Sequence, residues 1–387
     1  MNFILFDDQN VKNNLLPISF TRPIAEIRFG ISTMREKWEH FLNAKTSTLT
    51  DEYLSAKFPI IKAEKNILIN SSVFPTAELL DEIMDLKAEQ VLVKGDKMIA
   101  FNTSLENLES ETESVNSIET KHEIFAINTV TDLFTQLEVA INRDFVLLTK
   151  GRKSQEISSS NNVAGKENIF IEEGAVVEMA FINATKGPVY IGKDAVVMEG
   201  SMIKGPFSLG NHSEVKMGAK IYGPTSFGPY CKVGGEVNNS LIMGYSNKAH
   251  DGFIGQTVIG EWCNLGADTN VSNLKNTYET VKLWNYSQET FVNTGLQFCG
   301  LVMGDHSKTG INTMVNTGTV FGVFTNVFGA GYPRNFVSSF NWGGPAGFKK
   351  YNFTKALKVA EIVYSRRNLE FTQMDADILE YVYNVTK

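Results

Sequence analysis

A chain of 387 residues, 43% hydrophobic and 20% charged, has the composition of an ordinary globular protein and the length for two or three domains. Lys plus Arg total 36 against 43 for Asp plus Glu, and the net charge of -7 gives no electrostatic reason to expect nucleic acid or an anionic membrane as a partner. The opening MNFILFDDQN lacks a basic region followed by a long apolar stretch, and no run of about 18 apolar residues occurs, so a cytoplasmic location is expected.

Up to about residue 155 the apolar runs FILFD, NILIN, VLVK and FVLLT alternate with helix-like stretches at Thr76 to Gln90 and Thr129 to Ile141, the pattern of an α/β domain. Lys94-Gly95-Asp96-Lys97, between VLV and MIAF, reads as a hairpin turn because glycine tolerates positive φ. Asn102 to Lys121 is polar, acidic and rich in Ser and Thr, which points to a mobile excursion. A second polar stretch, KSQEISSSNNVAGKEN, marks the end of the domain, placed at residues 1–157.

Beyond it the period becomes six. Ile191, Val197, Ile203, Leu209, Val215, Ile221, Phe227 and Val233 follow one another without a break, with glycine at 192, 210, 228 and 234. A second register runs through Phe253, Ile259, Leu265 and Val271, and a third through Met303, Thr309, Val315, Phe321 and Val327. Neither a helix nor an ordinary strand has this period. It fits a parallel β-helix, three hexads to a triangular coil, whereas a β-sandwich would show alternation and less regular glycines. This part is placed at 158–345. Residues 272 to 300 lose the hexad and form a large excursion, and after Phe348 a helical face of Leu357, Ala360, Val363 and Tyr364 predicts a C-terminal helix in a tail of 346–387 that covers an end or side of the solenoid. Cys231, Cys263 and Cys299 form no Cys-x-x-Cys pair and read as buried thiols.

An α/β domain followed by hexapeptide repeats resembles the bifunctional N-acetylglucosamine-1-phosphate uridyltransferase and glucosamine-1-phosphate acetyltransferase family, in divergent form. The resemblance is strongest from about 240 to 325, where NKAHDGFIG and VIGEWCNLGADTNVSN carry the order of that family's acetyl-transfer site. It implies a left-handed β-helix, His250 as the general base that deprotonates a sugar amine, Asn264 and Asn273 as site asparagines, and Lys248 as a substrate-binding lysine one residue closer to the histidine than in the family. Phe253 stands where the family has tyrosine. The implied co-substrate is acetyl-CoA.

The chemistry is consistent with those residue types. Amine acylation needs a neutral amine and a proton acceptor near neutral pKa, which imidazole is, while fixed amide donors at solenoid corners can stabilise charge on a thioester oxygen. A solvated loop histidine and asparagines that merely fill left-handed turns are the plain alternatives. Asn264 and Asn273 lie half a regular coil apart, hence on different sides, and a site shared between chains of a homotrimer reconciles them. A zinc site of converging imidazoles is a rival on this fold, but His40, His122, His212, His250 and His306 show no ligand spacing, and His306 reads as a turn residue, with a place lining the cofactor cleft as the lesser alternative. Arg334, after the last hexads, is a candidate for coenzyme A phosphates or for a structural role.

In the N-terminal domain the family's Gly-x-Gly-Thr-Arg loop is absent after FILFDD. Nucleotidyl transfer there, from UTP or dTTP to a sugar 1-phosphate, would use Arg22, Arg28 and Lys37 on phosphates and Asp7 or Asp8 on Mg2+. A sugar-1-phosphate nucleotidyltransferase with a purely structural β-helix, such as a thymidylyltransferase, and a non-catalytic scaffold are the other readings.

Overall fold

The computed structural model describes residues 1–105 and 116–386. The expected excursion at Asn102 to Lys121 therefore falls in part, from 106 to 115, outside the described residues. Two compact units separate: Met1–Leu15, Thr21–Ile27 and Ser32–Thr129 form one, and Leu16–Phe20, Arg28–Ile31 and Val130–Lys387 the other.

The first unit is built on a six-stranded sheet of β1 (Asn2–Phe6), β2 (Thr46–Leu49), β3 (Lys65–Asn70), β4 (Gln90–Lys94), β5 (Lys97–Ser104) and β6 (Asn116–Glu119), in the order β2-β1-β3-β5-β4-β6. β1 lies between two parallel neighbours, so its apolar FILF is buried throughout, as central strands of such sheets require. β4 and β5 form the expected hairpin, with Gly95 at φ +56°. The helix expected at Thr76 to Gln90 forms over Ala77–Met84, started by Thr76 accepting from the Leu79 amide. Trp38 is fully buried under the sheet and its indole donates to the Val73 carbonyl at 2.9 Å.

FVLLT, an apolar run grouped with the strands above, lies instead in the helix Leu137–Thr149. Its four-residue neighbourhood had no turn signals at both ends, and the 3.6 period of the preceding Leu137, Ala140 and Ile141, all buried, wins over strand propensity. This helix groups with the second unit, upstream of the boundary expected at 157.

The second unit is a parallel β-solenoid of about 10 turns from residue 162 to 343. The first-register hexad residues all point inward and are buried, as are Met303, Thr309, Val315, Phe321 and Val327. The second register slips. Val196 pairs with Glu214, 18 residues on, whereas Glu236 pairs with Phe253, one residue fewer. The long strands Glu236–Gly244 and Phe253–Glu261 turn a corner at Asn239 and Gln256, both left-handed, in five residues rather than six. Ile254, not Phe253, therefore stacks on Val237 in the core. Coils pack so closely that a Cβ on Gly228 would meet the Met243 carbonyl oxygen at 1.5 Å.

One corner carries a column of stacked rings. His212, Tyr230, Tyr245, Trp262, His306, Phe324 and Phe340 all adopt φ between 52° and 62°, and successive ring centroids lie 4.2 to 6.3 Å apart with planes within 23° of parallel. Bulky residues in this region are strained by roughly 1–3 kcal/mol each, and ring stacking returns about 0.5–1.5 kcal/mol per pair. The excursion at 272–300 leaves the coil and forms the antiparallel hairpin Lys282–Asn285 with Thr290–Asn293. Two helices follow, Phe353–Ser365 and Gln373–Val385; Ala360 and Tyr364 of the expected face are buried, and Tyr364 stacks on Trp262 at 4.0 Å.

Candidate functional site

On one solenoid sheet, two-residue strands present an inward and an outward side chain per coil. The outward column reads Glu214, Lys232, Asn247, Asn264, Lys308 and Asn326; the inward one reads Val215, Val233, Lys248, Leu265, Thr309 and Val327. In-register rungs are about 4.8 Å apart, so outward neighbours form a ladder of polar groups.

His250 is exposed and lines a cavity of about 380 Å3 with Asn264, Asn247, Lys232 and the backbone at Gly266 and Ala267. The structure thus brings His250 and Asn264 together. Asn273 lies elsewhere in the coil, its amide donating to the Gln256 side chain at 2.5 Å. The two asparagines do not converge within one chain.

Lys248 does not face a substrate. It takes an inward position, is 1% exposed, and its ammonium donates to the carbonyls of His250 and of Asp251, the latter at 2.9 Å. Removal from water pushes its pKa down to about 8, only partly countered by Asp251 and Asp268. Its place is beneath the turn that carries His250, which corrects the substrate-binding expectation. Arg334 is exposed in the segment after Val327 and lines neither this cavity nor its neighbour. His306 is the expected turn residue, buried in the ring column. The three cysteines are buried, and loss of hydration drives the Cys231 thiol up to about 12, so they stay as inert thiols.

In the first unit, Asp7 follows β1 and accepts from the Ile24 amide at 2.8 Å, the Thr50 hydroxyl at 2.6 Å and Lys12 at 3.0 Å; Lys12 also pairs with Asp51 at 2.8 Å. Asp8 caps the helix Gln9–Asn14 by accepting from Asn10 and Val11. Both carboxylates are committed to protein partners, and no group of three or more His, Cys, Asp or Glu among the described residues is arranged to hold a metal. Lys37 is fully buried, donating to the Ser32 carbonyl at 3.0 Å and hydroxyl at 2.9 Å, and Arg22 is also buried, so neither reaches out to a phosphate. Arg28, in the second unit, donates to the Ile31 carbonyl.

Sequence reasoning passed over Lys232, Asn247, Lys308, Arg366 and Arg367. The first three were legible in principle as residues that precede an inward hexad position; the arginines were not, because only helix packing brings them to the ladder.

Fold and ladder together define the architecture: an α/β unit followed by a hexapeptide β-solenoid with a polar ladder on one sheet. Residues 3–153 match a family model described as sugar nucleotidyl transferase. A bifunctional sugar-1-phosphate nucleotidylyltransferase/acetyltransferase of Sulfurisphaera tokodaii is 36% identical over 145 residues, 37% of this chain and 36% of that protein. The bifunctional protein GlmU of Methanocaldococcus jannaschii is 33% identical over 87 residues, 22% of this chain and 21% of that one. The chain thus aligns with about a third and a fifth of the lengths of these relatives. An Arabidopsis UDP-N-acetylglucosamine acyltransferase structure covers 55% of this chain and 80% of its own at 15% identity, with a TM-score of 0.26. The family-model match and the two curated relatives each cover less than half of the chain. No helix among the described residues is long and apolar enough to cross a membrane.

Proposed function

We propose that the chain is a transferase acting on sugar phosphates, and that its solenoid moves an acetyl group from acetyl-CoA to the amine of glucosamine 1-phosphate. The observation that carries this reading is the shared cavity of His250 and Asn264. An exposed imidazole there can accept the proton that the amine must lose as its nitrogen bonds to the thioester carbon. The Asn264 amide and corner backbone N–H groups can donate to the oxygen on which charge builds, and the thiolate leaves to take up a proton. Most of the remaining acceleration comes from holding both substrates in one cleft.

The test is release of free thiol on mixing the protein with glucosamine 1-phosphate and acetyl-CoA. His250→Ala is expected to slow it by about two to four orders of magnitude while leaving the circular dichroism spectrum unchanged. Wild-type rates in that variant remove His250 from the mechanism.

Because Asn273 lies apart from His250, the same reading requires a homotrimer in which neighbouring chains complete each cleft. Sedimentation of the active species at three times the chain mass is expected; a fully active monomer contradicts it.

A second activity is favoured by the family match over residues 3–153: nucleotidyl transfer from UTP or dTTP to a sugar 1-phosphate, read as pyrophosphate release. No step through a metal is assigned to Asp7 or Asp8.

A further inference from the structure

Next to the His250 cavity is another of about 320 Å3, which the proposed chemistry leaves unused. The two share Asn247 and Asn264, so they adjoin at these rungs, the second on the Tyr245 and Trp262 side and the first on the His250 and Gly266 side. The second is walled by Lys308, the rung after Asn264, by Trp262, and by Arg366 and Arg367 at the end of the helix Phe353–Ser365.

The charge there is one-sided. Three cations line the cavity and no carboxylate does. Lys308 donates to the His306 carbonyl at 3.1 Å and lies 5.5 Å from the Phe324 ring centroid, with no carboxylate against it among the described residues, and burial holds its pKa below the ordinary lysine value. The Arg367 Nε is buried without a hydrogen-bond partner. None of the three forms an ion pair among the described residues, whereas Lys232, two rungs before Asn264 on the same ladder, is neutralised by Glu214 at 2.9 Å. Arg366 is exposed, but Lys308 and the Arg367 Nε are withdrawn from water without an ion-pair partner, which is costly, and an anion entering the cavity would relieve that cost. Basic residues at a helix C-terminus also complement its dipole, but that effect is about 0.3–1 kcal/mol and explains neither Lys308 nor the cavity. Two guanidinium forks and an ammonium match the several oxygens of a phosphate better than a single carboxylate.

We propose that this cavity is a phosphate site, in which Lys308, Arg366 and Arg367 hold the phosphate of a substrate whose reacting end occupies the His250 cavity. The inference rests on the acetyl-transfer reading for the substrate's identity, though not for the binding itself. The phosphate belongs either to the nucleotide portion of the thioester donor or to the sugar 1-phosphate.

Calorimetric titration of the full chain with adenosine 3′,5′-bisphosphate and, separately, with glucose 1-phosphate separates these sources. At least one probe is expected to bind, to weaken as salt rises, and to bind ten-fold or more weakly to Arg366→Gln and to Lys308→Gln. The probe affected names the source. Arg366 is exposed, so its variant should retain the wild-type melting curve. Lys204→Gln, at an exposed solenoid lysine that lines neither cavity, should bind the probes as the wild type does, and the binding is expected whether or not acetyl transfer is observed. The proposal is overturned if neither probe binds the wild type at millimolar concentration, or if both variants bind as tightly as the wild type.

Discussion

Lys248 stands in a stack otherwise filled by Val215, Val233, Leu265, Thr309 and Val327, and its ammonium is spent on two carbonyls of the His250 turn. Its pKa of about 8 lies below the 10.5 of a solvated lysine. Between those values the unfolded chain binds more protons than the folded one, so stability rises with pH across that window. Below about 8 both states are charged and the burial penalty is complete, on the order of 3 kcal/mol by the pKa difference. Lys248→Met should therefore gain stability relative to the wild type at pH 7, and that gain should shrink by roughly 2 kcal/mol by pH 10 in denaturant titrations. A gain independent of pH would show that the lysine is not the titrating group. The sequence revealed that a lysine preceded the histidine, but not its direction. Within a two-residue strand a side chain faces in or out according to the coil length, and here that length changes just upstream.

The ring column shows what the hexad pattern did and did not disclose. The six-residue period was legible because each inward position must be apolar, and glycines mark corners where coils approach closely. The rings were not, because an aromatic residue in a left-handed corner contradicts local preference and survives only through neighbours in adjacent coils. Tyr364 extends the column from the C-terminal helix, lying 4.0 Å from the Trp262 ring. Tyr364→Ala is expected to destabilise the second unit by about 3 kcal/mol and to alter Trp262 fluorescence. A melting temperature equal to that of the wild type would mean that the helix is held elsewhere. The same docking carries Arg366 and Arg367 to the ladder, so the cationic cavity was hidden from any reading confined to repeats. His250 and Asn264 could be found from the sequence because both fall in the stretch that resembles the family's acetyl-transfer site, His250 in the turn after Asn247–Lys248 and Asn264 on the next rung.

For the molecule as a whole, the two-part architecture was legible from a change of period, and the α/β part from alternating runs. The setting of its charged residues was not: Asp7, Lys12 and Lys37 look alike in sequence whether they meet solvent or the protein interior, and burial decides which. The end of the solenoid has a further consequence. Each coil offers the next a row of amide and carbonyl groups, and an uncovered final row would recruit another chain. Here Asn341–Gly344 is met by Gly347–Lys350 running the opposite way, with Lys349 and Lys350 on the outermost strand. A reversed, charged edge is a poor template for a further parallel rung. Deleting 346–387 should thus convert a discrete particle into filaments, visible as rising turbidity and thioflavin binding; a clear solution of the shortened chain would assign the role of terminator to some other element.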